Sequence, residues 1–187
     1  MALEIEKKFL LKSDGWRSEV ASSCRMTQGY IQSSGTTVRV RIAGSEAFIT
    51  LKGKPHQDFT RSEFEYSVPV SDAEEMLKEF CGTRIVDKIR HIVPAENGLF
   101  WEIDEYLELN AGLFTAEIEL PDADTQFAIP DWLGEDVSAN PAYTNRAISR
   151  NPFTLWGEEW PRGCKLNSAY VAAAPFSIDT RTPGRYC

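Results

Sequence analysis

Acidic and basic side chains recur two positions apart in seven short segments of this chain. Guanidinium and ammonium groups bind phosphate oxygens, whereas clustered carboxylates bind divalent metal ions. Together, the two kinds of group suit a complex between a metal ion and a polyphosphate, because an anion alone would not need the acids. The segments hold Glu4, Glu6 and Lys8; Arg39 and Arg41; Thr50 and Lys52; Arg61, Glu63 and Glu65; Lys88 and Arg90; Glu102 and Asp104; and Glu117 and Glu119.

The spacing predicts β-strands with one charged face. Alternate residues of a strand point to the same side, so Glu6 and Lys8 share a face while Ile5 and Phe9 occupy the other. For a single strand, the ordinary explanation is a sheet face exposed to solvent. For a single residue, the alternative to a binding role is an ion pair, for instance Arg61 with Glu65. Seven segments of nearly unbroken charge favour side chains that converge inside a closed sheet.

Strand and turn signals place these segments on eight strands. Two-residue and Gly-containing turns such as Asn97-Gly98 indicate that most neighbouring strands are antiparallel. The predicted strands cover residues 3–11, 26–33, 36–43, 46–53, 60–68, 84–93, 98–107 and 114–121.

Helices are predicted at several places between and after the strands. A capping box of Ser71 and Glu74 predicts a helix over residues 72–81. Shorter helical turns are predicted after Ser13, at Trp132-Leu133 and over 144–149.

The predicted fold class is α+β, with a closed eight-stranded antiparallel β-barrel that forms a tunnel. The helices need apolar surface to pack on, so they should lie outside the barrel, against the apolar strand faces. The charged faces are then left to line the lumen. A barrel of eight strands holds only side chains or one small ligand, and so many ionic groups would be costly to bury dry. We therefore expect a hydrated lumen that binds a ligand.

Length and composition indicate one tunnel domain. The chain has 187 residues, of which 42% are hydrophobic, and we assign residues 1–160 to this domain. Residues 161–187 show neither strand nor helix periodicity and are interpreted as a flexible tail that need not be native. A helix closing one tunnel end is the less favoured alternative. No secretory signal or membrane-spanning stretch is recognised, which predicts a cytoplasmic protein without a membrane partner.

Charge and cysteine content exclude two other kinds of site. The predicted charged face has eight acids and seven bases, so nearly all of the net charge of −8 lies elsewhere on the molecule. A nucleic-acid partner is not expected, because it normally requires a dominant basic patch. The four cysteines are widely scattered and only two histidines accompany them, which argues against zinc.

In order and spacing, the charged segments resemble the CYTH proteins, also called triphosphate tunnel metalloenzymes. The similarity covers roughly residues 3–150 and starts with the Glu4-x-Glu6-x-Lys8 motif. It continues through Arg39-x-Arg41, Thr50-Leu51-Lys52-Gly53, Arg61-x-Glu63-x-Glu65, Asp87-Lys88-x-Arg90, Trp101-Glu102-Ile103-Asp104 and Ala116-Glu117-Ile118-Glu119-Leu120. The resemblance implies an eight-stranded antiparallel tunnel that binds a linear triphosphate together with divalent cations.

Matching the family motif and the residue types gives each side chain an expected role. Expected ligands of Mg²⁺ or Mn²⁺ are Glu4, Glu6, Glu63, Asp104, Glu117 and Glu119, with Glu65 and Glu102 in supporting positions. Expected phosphate contacts are Lys8, Arg39, Arg41, Lys52, Arg61, Lys88 and Arg90. The expected catalytic residues are Lys8, Tyr30 and Lys88. Tyr30 would accept a proton if neighbouring cations lowered its pKa, and its alternative role is packing.

The expected activity is hydrolysis of inorganic tripolyphosphate to pyrophosphate and phosphate, dependent on a divalent metal. A nucleoside or thiamine triphosphatase, or an adenylate cyclase of the CYTH type, would need an aromatic pocket at the tunnel mouth, and Phe64, Tyr66 and Trp101 are predicted to point away from the lumen. A polyphosphate-binding module without turnover is the alternative that is not an enzyme. The sequence does not indicate an oligomeric state.

Overall fold

The computed structural model describes residues 5–53, 62–122 and 124–157. Nine strands form one antiparallel sheet with the order β5-β4-β3-β2-β6-β7-β8-β1-β9. The strands are β1 (Ile5–Leu11), β2 (Ser22–Ile31), β3 (Thr37–Ala43), β4 (Glu46–Lys52), β5 (Glu63–Val68), β6 (Ile85–Pro94), β7 (Phe100–Tyr106), β8 (Phe114–Leu120) and β9 (Leu133–Asp136). The helices are α1 (Val70–Phe80) and α2 (Asn145–Ile148), and 3₁₀ turns lie at Gly15–Glu19, Glu96–Gly98, Glu108–Asn110, Pro141–Tyr143 and Phe153–Leu155.

The eight predicted strands are confirmed as β1 to β8. Their ends differ by a few residues, most at β2, which begins at Ser22 rather than at residue 26. The predicted Asn97-Gly98 turn is also present, with φ angles of 59° and 75° at its two residues. Positive φ at both positions is the conformation in which Asn and Gly are favoured in hairpin turns.

The prediction of a closed eight-stranded barrel is wrong, because a ninth strand occupies the edge of β1. In β9, Leu133 pairs with Leu11 and Asp136 pairs with Phe9, where the sequence predicted a helical turn at Trp132-Leu133. Gly134 permits this approach, since a Cβ there would lie 3.0 Å from the carbonyl oxygen of Leu10. Among the described residues β5 pairs only with β4. The sheet is therefore a trough that is open between β5 and β9.

Helix α1 packs on the outer face of β2, β3 and β4, as predicted for a helix outside the sheet. Its buried residues Ala73 and Leu77 join Val40, Ala47 and Cys81 in one hydrophobic cluster. The predicted capping box is not formed. The helix begins at Val70, so Ser71 lies within its first turn, and the N-cap position is Pro69 without a side-chain cap.

A second hydrophobic cluster covers the outer face of β1, β7 and β8. Phe9, Trp101 and Ile118 lie in this cluster together with Trp16 and Trp132. Trp16 belongs to the 3₁₀ turn Gly15–Glu19, where a short helix after Ser13 was predicted. The apolar faces of these strands thus form the core, whereas Phe64 and Tyr66 on β5 are exposed, and the charged faces are left on the inner side of the trough.

One end of the inner face is apolar, which the sequence did not predict. Val86 and Tyr106 pack there with Tyr143 and Ile148 from the segment around α2. Thr144 caps α2 by accepting a hydrogen bond from the Ala147 N–H, so the predicted helical turn over 144–149 is confirmed. It packs at one end of the trough, not on the outside of the sheet.

Two of the predicted site residues, Glu4 and Arg61, lie outside the described residues, and so does the predicted tail at 161–187. Among the residues that the structure describes, no helix is long and apolar enough to cross a membrane.

Candidate functional site

The strand register brings the predicted charged residues onto the inner face of the trough. Directly paired residues of antiparallel strands share a face. Lys8 pairs with Glu117, which pairs with Glu102. Arg90 pairs with Asp104 on the neighbouring row. On the other side of the sheet, Arg39 pairs with Thr50, Thr50 with Glu65, and Lys52 with Glu63.

These side chains form two walls, which we name by their charge. The basic wall consists of Arg39, Arg41 and Lys52 with Glu63 and Glu65, on β3 to β5. The acidic wall consists of Glu6, Glu102, Asp104, Glu117 and Glu119 with Lys8, Lys88 and Arg90, on β6, β7, β8 and β1. Bases exceed acids in the first wall and acids exceed bases in the second. The charges of Arg90 and Glu102 act on Arg41, which indicates that the walls face each other.

At the centre of the acidic wall, Asp104 is fully buried and bound by two cations. Lys88 Nζ lies 2.5 Å from its Oδ2, and Arg90 binds it in bidentate geometry at 2.7 and 2.8 Å. Burial raises the pKa of Asp104, but Arg90 and Lys88 outweigh it and hold the pKa well below its usual range. Both carboxylate oxygens are engaged, so Asp104 anchors this wall.

Lys88 and Arg90 respond to the same buried setting in opposite ways. Burial, and then the charge of Arg90, lower the pKa of Lys88 to about 8 despite its partner Asp104. For Arg90, Asp104 and two further carboxylates outweigh burial, and its pKa is raised. Arg90 bonds to Glu102 and donates a hydrogen bond of 3.0 Å to Glu117 Oε2. Arg90 therefore organises three acids at once.

Lys8 joins the acidic wall to the segment that closes the apolar end. Its Nζ lies 2.5 Å from Glu117 Oε1 and donates a hydrogen bond of 3.1 Å to the carbonyl of Tyr143. Burial raises the pKa of Glu117, but Lys8 and Arg90 outweigh burial and lower the pKa below its usual value. The carboxylate therefore stays ionised. The ammonium group is thus fixed in place by contacts from two distant parts of the chain.

In the basic wall, two guanidinium groups share a single carboxylate. Arg39 and Arg41 lie within 3.2 and 3.3 Å of Glu65 Oε2. Thr50 donates a 2.6 Å hydrogen bond to the same oxygen. Burial raises the pKa of Glu65, but Thr50, Arg41 and Arg39 together lower it. Lys52 pairs with Glu63 at 2.7 Å, farther along the strands.

The basic wall retains unused hydrogen-bond donors. The Nε–H groups of Arg39 and Arg41 are buried and have no hydrogen-bond partner in the part of the chain that the structure describes. A buried donor without a partner costs about 1–3 kcal/mol. Burial, and then the charge of Arg39, also lower the pKa of Arg41. An anion placed between these two arginines would satisfy the donors and relieve the repulsion.

Tyr30 lies beside the basic wall, directly opposite Arg39. Burial raises its pKa to about 12, although Arg39 and Arg41 act in the lowering direction. The cations therefore do not produce the low pKa that a proton acceptor would need. At neutral pH the phenol keeps its proton and can serve as a hydrogen-bond donor.

The carboxylates suit a divalent cation in chemical type, but they are not assembled around a single ion position. Glu6 and Glu119 pair directly across β1 and β8, one row from Glu117. Within residues 5–53, 62–122 and 124–157, no three His, Cys, Asp or Glu side chains form a group that could hold a metal ion. Glu63 lies on the opposite wall from the other expected ligands that the structure describes. Burial raises the pKa of Glu102 more than Arg90 lowers it, and the neighbouring carboxylates of Asp104 and Glu117 add to the rise.

Three features of the site were missed in the sequence. Arg146, on α2, donates a 3.2 Å hydrogen bond to Thr37 and adds a cation near Tyr30, but it lies outside every alternating motif. Gln28 is almost fully buried on the inner face. Phe100 shares the inner face with Glu102 and is half-exposed at the trough mouth. Its alternation with Glu102 in the sequence could have revealed it.

Phe100 belongs to a pocket at the end of β7 and β8. The pocket has a volume of about 330 Å³ and is lined by Gly98, Leu99, Phe100, Glu102, Glu119, Leu120 and Pro121. It joins an apolar surface to two acids of the acidic wall. The inner face is therefore less purely ionic than the sequence suggested.

The chain is similar in sequence to known proteins. Two relatives are inorganic triphosphatases. The one from Acetivibrio thermocellus is 40% identical over 84% of this chain and 100% of its own length. The one from Nitrosomonas europaea is 30% identical over 78% of this chain and 96% of its own.

Solved structures share the fold as well. The crystal structure of an inorganic triphosphatase superposes with a TM-score of 0.62 and 30% identity, covering 80% of this chain and 95% of that one. A putative adenylate cyclase from Bacillus halodurans, at 15% identity, superposes with a TM-score of 0.51 over 65% of this chain and 83% of its own. The CYTH domain profile matches residues 2–146. The chain with this two-walled trough belongs to the CYTH family.

Proposed function

We propose that this protein hydrolyses inorganic tripolyphosphate to pyrophosphate and phosphate. The observation that carries the proposal is that the buried Nε–H donors of Arg39 and Arg41 have no hydrogen-bond partner among the described residues. They lie in a wall with excess positive charge, which suits the oxygens of a phosphate chain. The two relatives named as inorganic triphosphatases support the same substrate.

In the proposed reaction, a water molecule attacks a terminal phosphorus and the bond from that phosphorus to the bridging oxygen breaks. Phosphoryl transfer demands mainly positioning and neutralisation of charge. The phosphate contacts proposed are Arg39, Arg41 and Lys52 on the basic wall, with Lys8, Lys88 and Arg90 opposite and Arg61 outside the described residues. All of the described cations on both walls are paired with carboxylates, so substrate binding must exchange some of these ion pairs.

A divalent cation, Mg²⁺ or Mn²⁺, is proposed to be held by oxygens of the acidic wall. Glu6, Glu117 and Glu119 lie on adjacent pairs of β1 and β8, and Glu4 of the same motif lies outside the described residues. When bound, the ion supplies positive charge between carboxylates and phosphate oxygens, which would otherwise repel each other. Asp104 is proposed to support this wall, because both of its oxygens already bind cations. Glu63 is left as a less favoured ligand, since Lys52 holds it on the other wall.

The catalytic residues proposed are Lys8, Tyr30 and Lys88. With a pKa lowered to about 8, Lys88 can exchange a proton near neutral pH more readily than an ordinary lysine. Lys8, fixed by Glu117 and Tyr143, is positioned to neutralise developing charge. Tyr30 is proposed to donate a hydrogen bond to a phosphate oxygen.

Phosphate release from tripolyphosphate tests this proposal. The purified protein is assayed with Mg²⁺, with Mn²⁺ and with EDTA. The Arg41→Ala and Glu119→Gln variants are compared with Lys78→Ala, which alters an exposed lysine of α1. We expect turnover with metal, loss in EDTA and in both site variants, and normal activity in Lys78→Ala. Absence of turnover with either metal would contradict the proposal and favour a polyphosphate-binding role.

The pocket at Phe100 favours a second candidate, a triphosphate that carries a planar organic group. Its volume of about 330 Å³ falls at the lower end of the range for small-molecule sites. If this pocket binds the organic group, Phe100→Ala should lower kcat/KM for ATP or thiamine triphosphate and leave that for tripolyphosphate unchanged. Equal effects on all three substrates would argue against it, and formation of cyclic AMP from ATP would indicate a cyclase.

A further inference from the structure

The central strand β2 contributes an uncharged polar pair to the inner face. Gln28 lies between Arg41 on β3 and Val86 on β6, and Tyr30 lies opposite Arg39. Gln28 is 1% exposed and Tyr30 is 6% exposed. An amide buried among charged neighbours is costly unless its hydrogen bonds are well placed. Its placement therefore points to a specific partner.

That partner is the hydroxyl of Tyr30. Gln28 Nε2 donates a hydrogen bond of 2.9 Å to the phenol oxygen. A hydroxyl can both accept and donate, so an oxygen that accepts from Gln28 keeps its own proton for another acceptor. Arg39, opposite Tyr30, has the unpartnered Nε–H described above. Tyr30, Arg39 and Arg41 thus share the inner face on β2 and β3, and the charges of both arginines act on the phenol.

We propose that Gln28 is a positioning residue that holds the Tyr30 hydroxyl as a hydrogen-bond donor to a phosphate oxygen between Arg39 and Arg41. The inference rests on the proposed triphosphatase function and adds a residue to it. Gln28 does not touch the substrate. Its effect on turnover passes through the direction in which the tyrosine proton points.

The raised pKa of Tyr30 agrees with this geometry. A phenol with a pKa of about 12 remains protonated throughout the neutral range, so a donor is always present. The side chain of Gln28 fixes the oxygen without adding charge. A glutamate at this position would act oppositely, because an ionised carboxylate only accepts and would draw the phenol proton away from the substrate.

A double-mutant cycle separates positioning from simple packing. The variants are Gln28→Met, which keeps the length and removes the donor, Tyr30→Phe, and the two combined. We expect Gln28→Met to lower kcat for tripolyphosphate about tenfold, the loss typical of one hydrogen bond, with KM changed less than about twofold. Because Gln28 acts through Tyr30, the combined variant should be no slower than Tyr30→Phe. Additive losses, or an effect on KM alone, would overturn the inference.

Two further measurements keep the inference testable if Gln28→Met folds poorly. Gln28→Glu should lower kcat at least as much as Gln28→Met, and wild-type kcat in this variant would count against the inference. Ultraviolet titration, taken as the difference from Tyr30→Phe, should show a changed Tyr30 midpoint in Gln28→Glu without any substrate; an unchanged midpoint would also count against it.

The outcomes distinguish the two proposals. If the wild-type protein does not hydrolyse tripolyphosphate, the proposed function fails. If it does and folded Gln28→Met keeps wild-type kcat, only the role of Gln28 fails.

Discussion

Asp104 shows how the inner face tolerates charge away from water. Desolvating an ion pair costs several kcal/mol per ion, and the partners recover this only when their geometry is good. Here one fully buried carboxylate binds Lys88 and accepts hydrogen bonds from Nε and Nη2 of Arg90. Such a group is a weak source of net stability, but its loss leaves Lys88 buried without its ion-pair partner and leaves Arg90 with only Glu102 and Glu117.

We therefore expect Asp104→Asn to destabilise the protein by about 3–5 kcal/mol at neutral pH. Chemical denaturation of the two proteins at pH 7 measures the difference. Asp131→Asn, at an exposed site, is the matched control and should change the free energy of unfolding by less than about 0.5 kcal/mol.

The same variant should show a characteristic pH dependence. A carboxyl whose pKa is lowered on folding stabilises the protein fully above its unfolded pKa of about 3.9, and the stabilisation is lost as pH falls toward the folded value. The pKa of Asp104 is lowered in this way. The difference between wild type and Asp104→Asn should be constant from pH 7 to about pH 5 and shrink below about pH 4. A difference that grows toward low pH would contradict the assignment.

Arg41 differs from Asp104 because its role is proposed to be binding. It shares Glu65 with Arg39, and its buried Nε–H finds no hydrogen-bond partner within residues 5–53, 62–122 and 124–157. We expect Arg41→Lys to reduce kcat/KM for tripolyphosphate by roughly 10- to 100-fold, since a charged hydrogen bond contributes about 1.5–3 kcal/mol and lysine lacks the planar donor fork. Steady-state kinetics measure this. A fall no larger than in Lys78→Ala would remove Arg41 from the site.

At the scale of elements, alternation was sufficient to predict the strands and the face on which each charge lies. The pairs Arg90–Asp104 and Lys8–Glu117 follow from the motifs once the strand order is known. Whether the sheet closes into a barrel was not predictable, because closure depends on which segment pairs with the free edge of β1. That decision rests on Gly134 and the approach of β9 to Leu10, a long-range contact with no local signal.

The other misses have different causes. Ser71 fits a capping box as a pattern, yet the chain enters the helix two residues earlier, after Pro69. Gln28 and Arg146 carry no repeated motif, so pattern reasoning passed over both. The pKa of Tyr30 was misjudged because burial outweighs its cationic neighbours, and burial of one tyrosine is a tertiary property.

The packing of α1 on β2 requires a glycine at position 29. A Cβ there would lie 2.6 Å from Cys81 Sγ and 2.7 Å from Leu77 Cδ2. Gly29→Ala should therefore destabilise the protein by about 1–3 kcal/mol through overpacking, measured as a lower midpoint of unfolding. Gly157→Ala, where a Cβ meets nothing within 4 Å, is the control. An equal effect of both substitutions would show that the contact is not limiting.

At the scale of the molecule, a net charge of −8 coexists with a trough that is proposed to bind an anion. Because the two walls are separate, the repulsion between Arg39 and Arg41 is local to the basic wall, and water outside the trough screens the distant acids. The net negative charge of the molecule is therefore compatible with an anion bound at the basic wall. A ligand that binds only the folded state raises its stability by mass action, about 2.7 kcal/mol at one hundred times Kd.

Tripolyphosphate in EDTA, where turnover is not expected, should consequently raise the melting temperature of the wild-type protein. The shift should be much smaller in Arg41→Ala and unchanged in Lys78→Ala. Differential scanning fluorimetry with orthophosphate as the comparison ligand measures it. A shift of the same size with orthophosphate would indicate general ionic stabilisation instead of binding of a chain of phosphates.

The position of β1 between β8 and β9 also governs how the protein can fold. Strand β1 pairs with residues more than one hundred positions later, and Lys8 Nζ bonds to the Tyr143 carbonyl, 135 residues away. Pairings of such sequence separation make folding slow. During synthesis the first strand must wait for both of its neighbours, so the acidic wall is completed only after residue 143 has been made.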